Sequence, residues 1–125
     1  MLIDTDILID YLRGRKEAVK FIEVGLSDNT YHLSIVTLAE LYAGVREGSE
    51  RTILDQFLQE FQIALINIDL AKKGGLFRRD YGKSHGVGLA DALIAATAQA
   101  LNVTLATLNK KHYPMLKNVI VPYVK

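Results

Sequence analysis

Leu2-Ile3-Asp4-Thr5-Asp6, an apolar run halted by an acid, reads as a buried strand that carries a carboxylate to its C-terminal end. Open α/β sheets place their ligand sites outside that end of the strands. Two further acids, Glu40 and Asp91, stand in similarly apolar surroundings at distant points of the chain. Three carboxylates brought together would repel and raise each other's pKa unless a cation offset them. The first reading of these residues is therefore a cation site.

Working outward, the chain alternates strands and helices. Residues 1–4 are expected as strand and 7–12 as a short helix closed by Arg13-Gly14. A helix over 17–26 carries Ala18, Phe21, Ile22 and Leu26 at amphipathic spacing and is broken by Ser27-Asp28-Asn29. A strand follows at 31–36, a helix at 38–45 ending near Gly48, and a helix at 51–61 with Leu54, Phe57, Leu58 and Phe61 on one face. A third strand is expected at 63–68, a helix at 70–81 in spite of Gly74-Gly75, and a loop at 82–88. The helix at 89–101 is apolar nearly all round, hence buried; strands at 103–107 and 119–121 follow, the last closed by Pro122. This order predicts one α/β domain over residues 1–125, with a mostly parallel sheet of about five strands covered on both faces.

Half of the 125 residues are hydrophobic, enough for one sizeable core. With no Cys, disulfides, thiolate metal sites and a Cys nucleophile are excluded, and His32, His85 and His112 show no zinc spacing. The apolar N-terminus carries Asp4, Asp6 and Asp10, unlike a signal peptide, and no uninterrupted apolar stretch approaches ~18 residues. A soluble, cytoplasmic protein is expected. The net charge of +1 hides a division: residues 1–60 hold 11 acids against 6 Lys/Arg, and residues 61–125 hold 3 against 9. Arg78, Arg79 and Lys83 share a segment with Lys72 and Lys73, and Lys110 and Lys111 follow a later strand. Such clusters can hold phosphates, or simply form a solvated face.

Each acid also has a purely structural reading. Asp4 or Thr5 could cap the helix that follows the first strand. Thr37-Leu38-Ala39-Glu40 fits a capping box, with Glu reaching back to the Thr backbone. Asp91 lies in the first turn of its helix, where the macrodipole favours an acid. That helix is apolar, however, and the nearest preceding base is Lys83, across a glycine-rich loop. A buried carboxylate there needs a partner, and a metal would supply it.

Three stretches together resemble the PIN domain: Leu2-Ile3-Asp4-Thr5-Asp6, Ser34-Ile35-Val36-Thr37-Leu38-Ala39-Glu40-Leu41, and Gly88-Leu89-Ala90-Asp91-Ala92-Leu93-Ile94-Ala95-Ala96-Thr97-Ala98. Their order and spacing over nearly the whole chain are similar to the VapC-like ribonuclease toxins of toxin–antitoxin pairs. The resemblance implies a three-layer α/β/α sandwich and a metal-dependent endoribonuclease leaving 5′-phosphate and 3′-hydroxyl ends. It implies that Asp4, Glu40 and Asp91 hold Mg²⁺ or Mn²⁺, with Glu40 acting directly or through water. Asn109 stands where many members have a fourth Asp, and Thr5 matches a supporting hydroxyl; Asp6 falls outside the implied ligand set. Arg78, Arg79, Lys83, Lys110 and Lys111 become candidate contacts to the RNA backbone. A cognate antitoxin, whose C-terminal segment fills the groove beside the acids, and a homodimer are the implied partners.

Three other readings compete. A PIN-like binding module without activity would keep the fold and work by protein contact alone. A haloacid-dehalogenase-like phosphatase would use the Asp4-Thr5-Asp6 pattern, Asp4 as nucleophile and Asp6 as acid and base, yet Leu8 stands where that pattern wants Thr. A receiver-type phosphoacceptor would use Asp69 and Lys110, leaving Glu40 and Asp91 without a role.

Overall fold

Five parallel strands form one sheet in the order β3-β2-β1-β4-β5. They are β1 (Leu2–Ile3), β2 (His32–Ser34), β3 (Gln62–Ala64), β4 (Leu105–Ala106) and β5 (Val119–Ile120). The structure is a computed structural model and describes residues 1–28 and 30–125. Six helices connect the strands: α1 (Thr5–Leu12), α2 (Lys16–Asp28), α3 (Ile35–Ala43), α4 (Ser49–Phe57), α5 (Ile68–His85) and α6 (Leu89–Leu101). Short 3₁₀ turns occupy Leu58–Glu60 and Lys110–His112. Among the described residues, no helix is long and apolar enough to cross a membrane.

Side-chain alternation along the strands creates two cores. Ile3, Leu33 and Ala106 face one side, where they meet Ile7, Leu8, Ile22, Leu54 and Phe57. Leu2 and Leu105 face the other, against Ile94, Ala95, Ala98 and Tyr113. Both faces of β1 are thus fully buried, which is why an apolar run rather than an alternating one marks it. The result is the expected α/β/α layering. From β1 the chain builds outward to β3, then crosses back to lay β4 on the other side of β1. The direction of winding therefore reverses between β1 and β4, and the C-terminal ends of those two strands form the switch point.

Most departures from the expected boundaries trace to caps. Ile35 and Val36, expected in a strand, open α3 because the Ser34 hydroxyl accepts the Val36 N–H at 3.1 Å. Thr37 is therefore third in that helix, and the capping box with Glu40 does not form. The third strand stops at Ala64, since Asn67 accepts the Leu70 N–H at 2.9 Å and begins α5 at Ile68. The expected loop at 82–88 is helical through His85, and only residues 86–88 connect α5 to α6. Gly86, at φ 65°, takes the left-handed conformation that ends α5, with Lys83 and His85 suited to its negative end. Helix α2 runs through Ser27 and Asp28, where a break is expected; Asn29 lies outside the described residues.

Gly74 explains how a helix with two adjacent glycines is stable. It is the buried point where α5 crosses α6, and a Cβ there would meet Leu93 Cδ2 at 2.5 Å and the Leu93 Cα at 3.2 Å. Close approach at this point compensates for poor helix propensity. Gly74→Ala should therefore destabilise the protein by about 1–3 kcal/mol despite the better propensity of Ala. Gly75→Ala, with nothing within 4 Å, should be neutral or stabilising. Paired thermal denaturation of the two variants checks the assignment.

Candidate functional site

Asp4 leaves β1 at the switch point and is 6% exposed. It is both the N-cap of α1 and the centre of a polar cluster. Its Oδ1 accepts the Thr5 N–H at 2.8 Å. Its Oδ2 accepts hydrogen bonds from the Thr107 hydroxyl at 2.7 Å and the Tyr113 hydroxyl at 2.9 Å. Thr107 directly follows β4, and Tyr113 follows the 3₁₀ turn Lys110–His112, so three separate elements meet on one carboxylate.

The fold carries Asp91 to the same place on the first turn of α6. Its Oδ1 lies 3.3 Å from the Tyr113 hydroxyl oxygen, and its Oδ2 lies 3.3 Å from His112 Nδ1. Glu40, exposed on α3, is tied to Thr5, the residue next to Asp4. The Thr5 hydroxyl donates to Glu40 Oε1 at 2.7 Å and lies 3.0 Å from the buried Thr37 hydroxyl. With its single hydrogen given to Glu40, Thr5 takes the hydrogen of Thr37 in return. The three acids singled out in the sequence thus gather at one edge of the sheet: Asp4 and Asp91 on a shared phenol, and Glu40 through Thr5.

The remaining residues are placed less uniformly. Asn109 is exposed at the rim, its side-chain amide 3.5 Å from Asp6 Oδ2. Lys110 and Lys111 lie exposed on the 3₁₀ turn that brings His112 to Asp91. Arg78, Arg79 and Lys83 are exposed on α5; Arg79 donates to Asp80 at 2.8 Å, and none of the three contacts the acids. Asp69 sits in the first turn of α5, several residues past the end of β3, so the receiver-type arrangement is not formed. Asp6 accepts the Leu108 N–H at 3.0 Å and the Ile7 N–H at 2.8 Å, which makes it a brace for the loop after β4 rather than a free acid.

Sequence reasoning missed Thr107, Tyr113 and His112 as parts of this cluster. Thr107 was legible as the mirror of Asp4, the first residue beyond the neighbouring central strand. Tyr113 gave no signal, because an isolated aromatic after a strand reads as core.

Electrostatics sets the chemistry. Burial pushes the Asp4 carboxyl up to about 6 from 3.8; the nearby charge of Asp6 adds to this, and hydrogen bonds from Thr107, Tyr113 and the Thr5 N–H oppose it. Burial likewise raises Asp6, and raises Tyr113, which therefore stays protonated. Its one hydrogen goes to Asp4, the nearer acceptor, so Asp91 Oδ1 faces a phenol oxygen with no hydrogen between them. Two oxygens in that relation suit a cation or a further proton.

Among the described residues, no three His, Asp or Glu side chains stand close enough to cage a metal by themselves. The donor set still fits a hard divalent ion, since Mg²⁺ keeps several waters and takes only one or two carboxylates from a protein. Asp4 and Asp91, joined by the Tyr113 hydroxyl, are two carboxylates of that kind, and Glu40 is tied to Thr5 beside them.

Asp4 also makes a pH prediction. The folded chain binds this proton more tightly than the unfolded chain, so the Asp4 contribution to stability is complete below about pH 4 and is lost as pH rises through about 6. In EDTA, wild type should lose roughly 2–3 kcal/mol more than Asp4→Asn between about pH 4 and 7. Urea denaturation at several pH values measures the difference; parallel curves would contradict it.

Carboxylates and hydroxyls gathered at the switch point between β1 and β4 mark a parallel α/β domain with an acidic cleft. This chain belongs to the PIN domain family, which matches residues 1–115. It is 39% identical over 125 residues to Ribonuclease VapC19 of Mycobacterium tuberculosis, covering 98% of each chain. It is 36% identical over 124 residues to Ribonuclease VapC10 of the same organism, covering 98% of this chain and 92% of that protein. Among solved structures, a toxin-antitoxin complex from Klebsiella pneumoniae matches with a TM-score of 0.84 at 31% identity, over 99% of this chain and 98% of that one.

Proposed function

We propose that this protein is a metal-dependent endoribonuclease and the toxin of a toxin–antitoxin pair. The observation that carries the reading is the meeting of Asp4 and Asp91 on one phenol oxygen, with Glu40 tied to the neighbouring Thr5, in a PIN domain similar along its full length to named ribonucleases. A bound Mg²⁺ or Mn²⁺ would supply Lewis-acid stabilisation of charge on the phosphodiester and acidify a water for in-line attack. Asp4 and Asp91 would hold the ion. Glu40, oriented by the Thr37–Thr5 hydroxyl pair, would position the attacking water and take its proton. Thr107 keeps the Asp4 carboxylate turned toward Asp91, and Asn109 offers a neutral oxygen at the rim. With water as the nucleophile and the ribose 3′-oxygen as the leaving group, the products would carry 5′-phosphate and 3′-hydroxyl ends, and no catalytic His pair is needed.

Substrate and partner follow from the surroundings. Lys110 and Lys111, two and three residues past Leu108 on the turn that leads to His112, would neutralise RNA phosphates; Arg78, Arg79 and Lys83 on α5 would extend the track. Unpaired RNA is the favoured substrate, since its bases are accessible for recognition. A groove of about 540 Å³ begins at Glu40 and runs between α1, α3 and α4 over Ile9, Leu12, Leu41, Val45, Ile53 and Leu54. An antitoxin segment lying in it would reach Glu40. A homodimer in the cytoplasm completes the reading.

Cleavage of an end-labelled RNA pool tests the proposal. Wild type should cut with Mn²⁺ or Mg²⁺, stop in EDTA and leave 5′-phosphate ends, and Asp91→Asn should lose at least about 100-fold in rate. Equal behaviour of the two proteins would instead favour the silent binding module. The basic pair has its own test: Lys110→Ala with Lys111→Ala should weaken RNA binding without regard to sequence and lower the salt dependence of the binding constant by about two phosphate contacts. An unchanged salt slope in filter binding would remove those lysines from the track.

A further inference from the structure

Among the described residues, the Tyr113 hydroxyl is the one group that hydrogen-bond distances place against both Asp4 and Asp91, and the proposed reaction gives it no task. Its ring is 2% exposed, packed with Leu2, Ile94, Ala95 and Leu105, so the oxygen cannot swing away. It has one hydrogen for two carboxylates, at 2.9 and 3.3 Å. Asp4 does not depend on it for position, being held also by the Thr5 N–H and the Thr107 hydroxyl. Asp91 is likewise fixed by α6 and by its contact with His112. What Tyr113 supplies is the hydrogen itself, placed on the oxygen of Asp4 that faces Asp91.

We propose that Tyr113 is a positioning residue that competes with the cation for Asp4: its hydroxyl stabilises the Asp4 carboxylate when no ion is bound and yields when one binds. The inference rests on the metal-site reading above and adds a sign to it. A hydrogen bond to a carboxylate lowers its basicity, so removing the phenol oxygen leaves Asp4 a stronger ligand. Loss of preorganisation would act the other way, but two other hydrogen bonds already hold Asp4. Competition therefore outweighs positioning, and the hydroxyl makes the site weaker and easier to exchange.

The test is Tyr113→Phe, which keeps the ring and removes only the oxygen, with Mn²⁺ as the probe. Calorimetric titration should give Mn²⁺ binding about 3–10-fold tighter than wild type, the equivalent of one charge-assisted hydrogen bond. In EDTA the variant should melt several degrees below wild type, and saturating Mn²⁺ should narrow the gap. A variant that folds only with Mn²⁺ is the same result at its limit. A merely structural role is separated by repeating the comparison in an Asp4→Asn background, where the melting difference should largely vanish if Tyr113 acts through the Asp4 charge. Mn²⁺ binding that is equal or weaker in Tyr113→Phe, or the same melting difference in both backgrounds, overturns the inference alone. If wild type binds no Mn²⁺, the metal-site reading fails and the inference falls with it.

Discussion

The burial of the Asp4 carboxylate at the end of β1 constrains everything around it. A charged group with so little exposure must find hydrogen-bond donors, and the chain supplies them from α1, from the residue after β4 and from the turn beyond it. Strands of two or three residues offer few ladder hydrogen bonds of their own. The Asp4 N–H continues the ladder by donating to the Ala106 carbonyl at 2.9 Å while its side chain binds the next residue of the same strand pair. Backbone and side chain of one residue thus fix the register of the two central strands. The centre of the sheet and the candidate site are a single structure, so a change meant for one will be felt in the other.

Helix α1 also carries an internal comparison, because it places a second buried acid, Asp10, on the same helix. Asp10 is 4% exposed, yet Lys125 Nζ lies 2.9 Å from one oxygen and the Tyr123 hydroxyl donates to the other at 2.7 Å. Burial raises its pKa, but the hydrogen bonds and charge of these neighbours outweigh that and hold it below the usual value. Asp4 is hydrogen-bonded just as fully, by two hydroxyls and an N–H, and its pKa nonetheless rises. Asp4 carries the heavier burial penalty and lies near the charge of Asp6, whereas Asp10 has a cation; among the described residues, no Lys or Arg pairs with Asp4. Hydroxyl groups satisfy the geometry of a buried carboxylate without offsetting its charge, which is the condition a metal-binding acid needs.

Much of this was legible in the sequence, because apolar runs ending in an acid have few uses. The order of elements and the two-faced burial of the sheet followed from where hydrophobic runs stop, and Asp4, Glu40 and Asp91 were singled out by their apolar surroundings and by three stretches that resemble the PIN domain. Boundaries were less legible wherever a polar side chain decided them: Ser34 and Asn67 start helices inside stretches that β-branched residues had marked as strand. Tyr113 and His112 were invisible for another reason. Their part in the site depends on a turn that folds back over α6, and no periodicity in the chain encodes that return.

Capping and site-building, set against each other as readings of the sequence, prove to be one arrangement in two of three cases. Asp4 caps α1 and also faces Asp91; Asp91 occupies the first turn of α6 and also faces Asp4. In a parallel sheet each helix begins just past the C-terminal end of a strand, so the N-termini of α1 and α6 point their positive ends at the same edge. The partial charge that favours acids there also favours phosphate oxygens. Glu40 is the exception, lying in the middle of α3 with its carboxylate held by a hydroxyl rather than by a helix terminus. It is also the most exposed of the three, so the part of its carboxylate that Thr5 leaves open faces solvent, whereas Asp4 and Asp91 are turned into the fold.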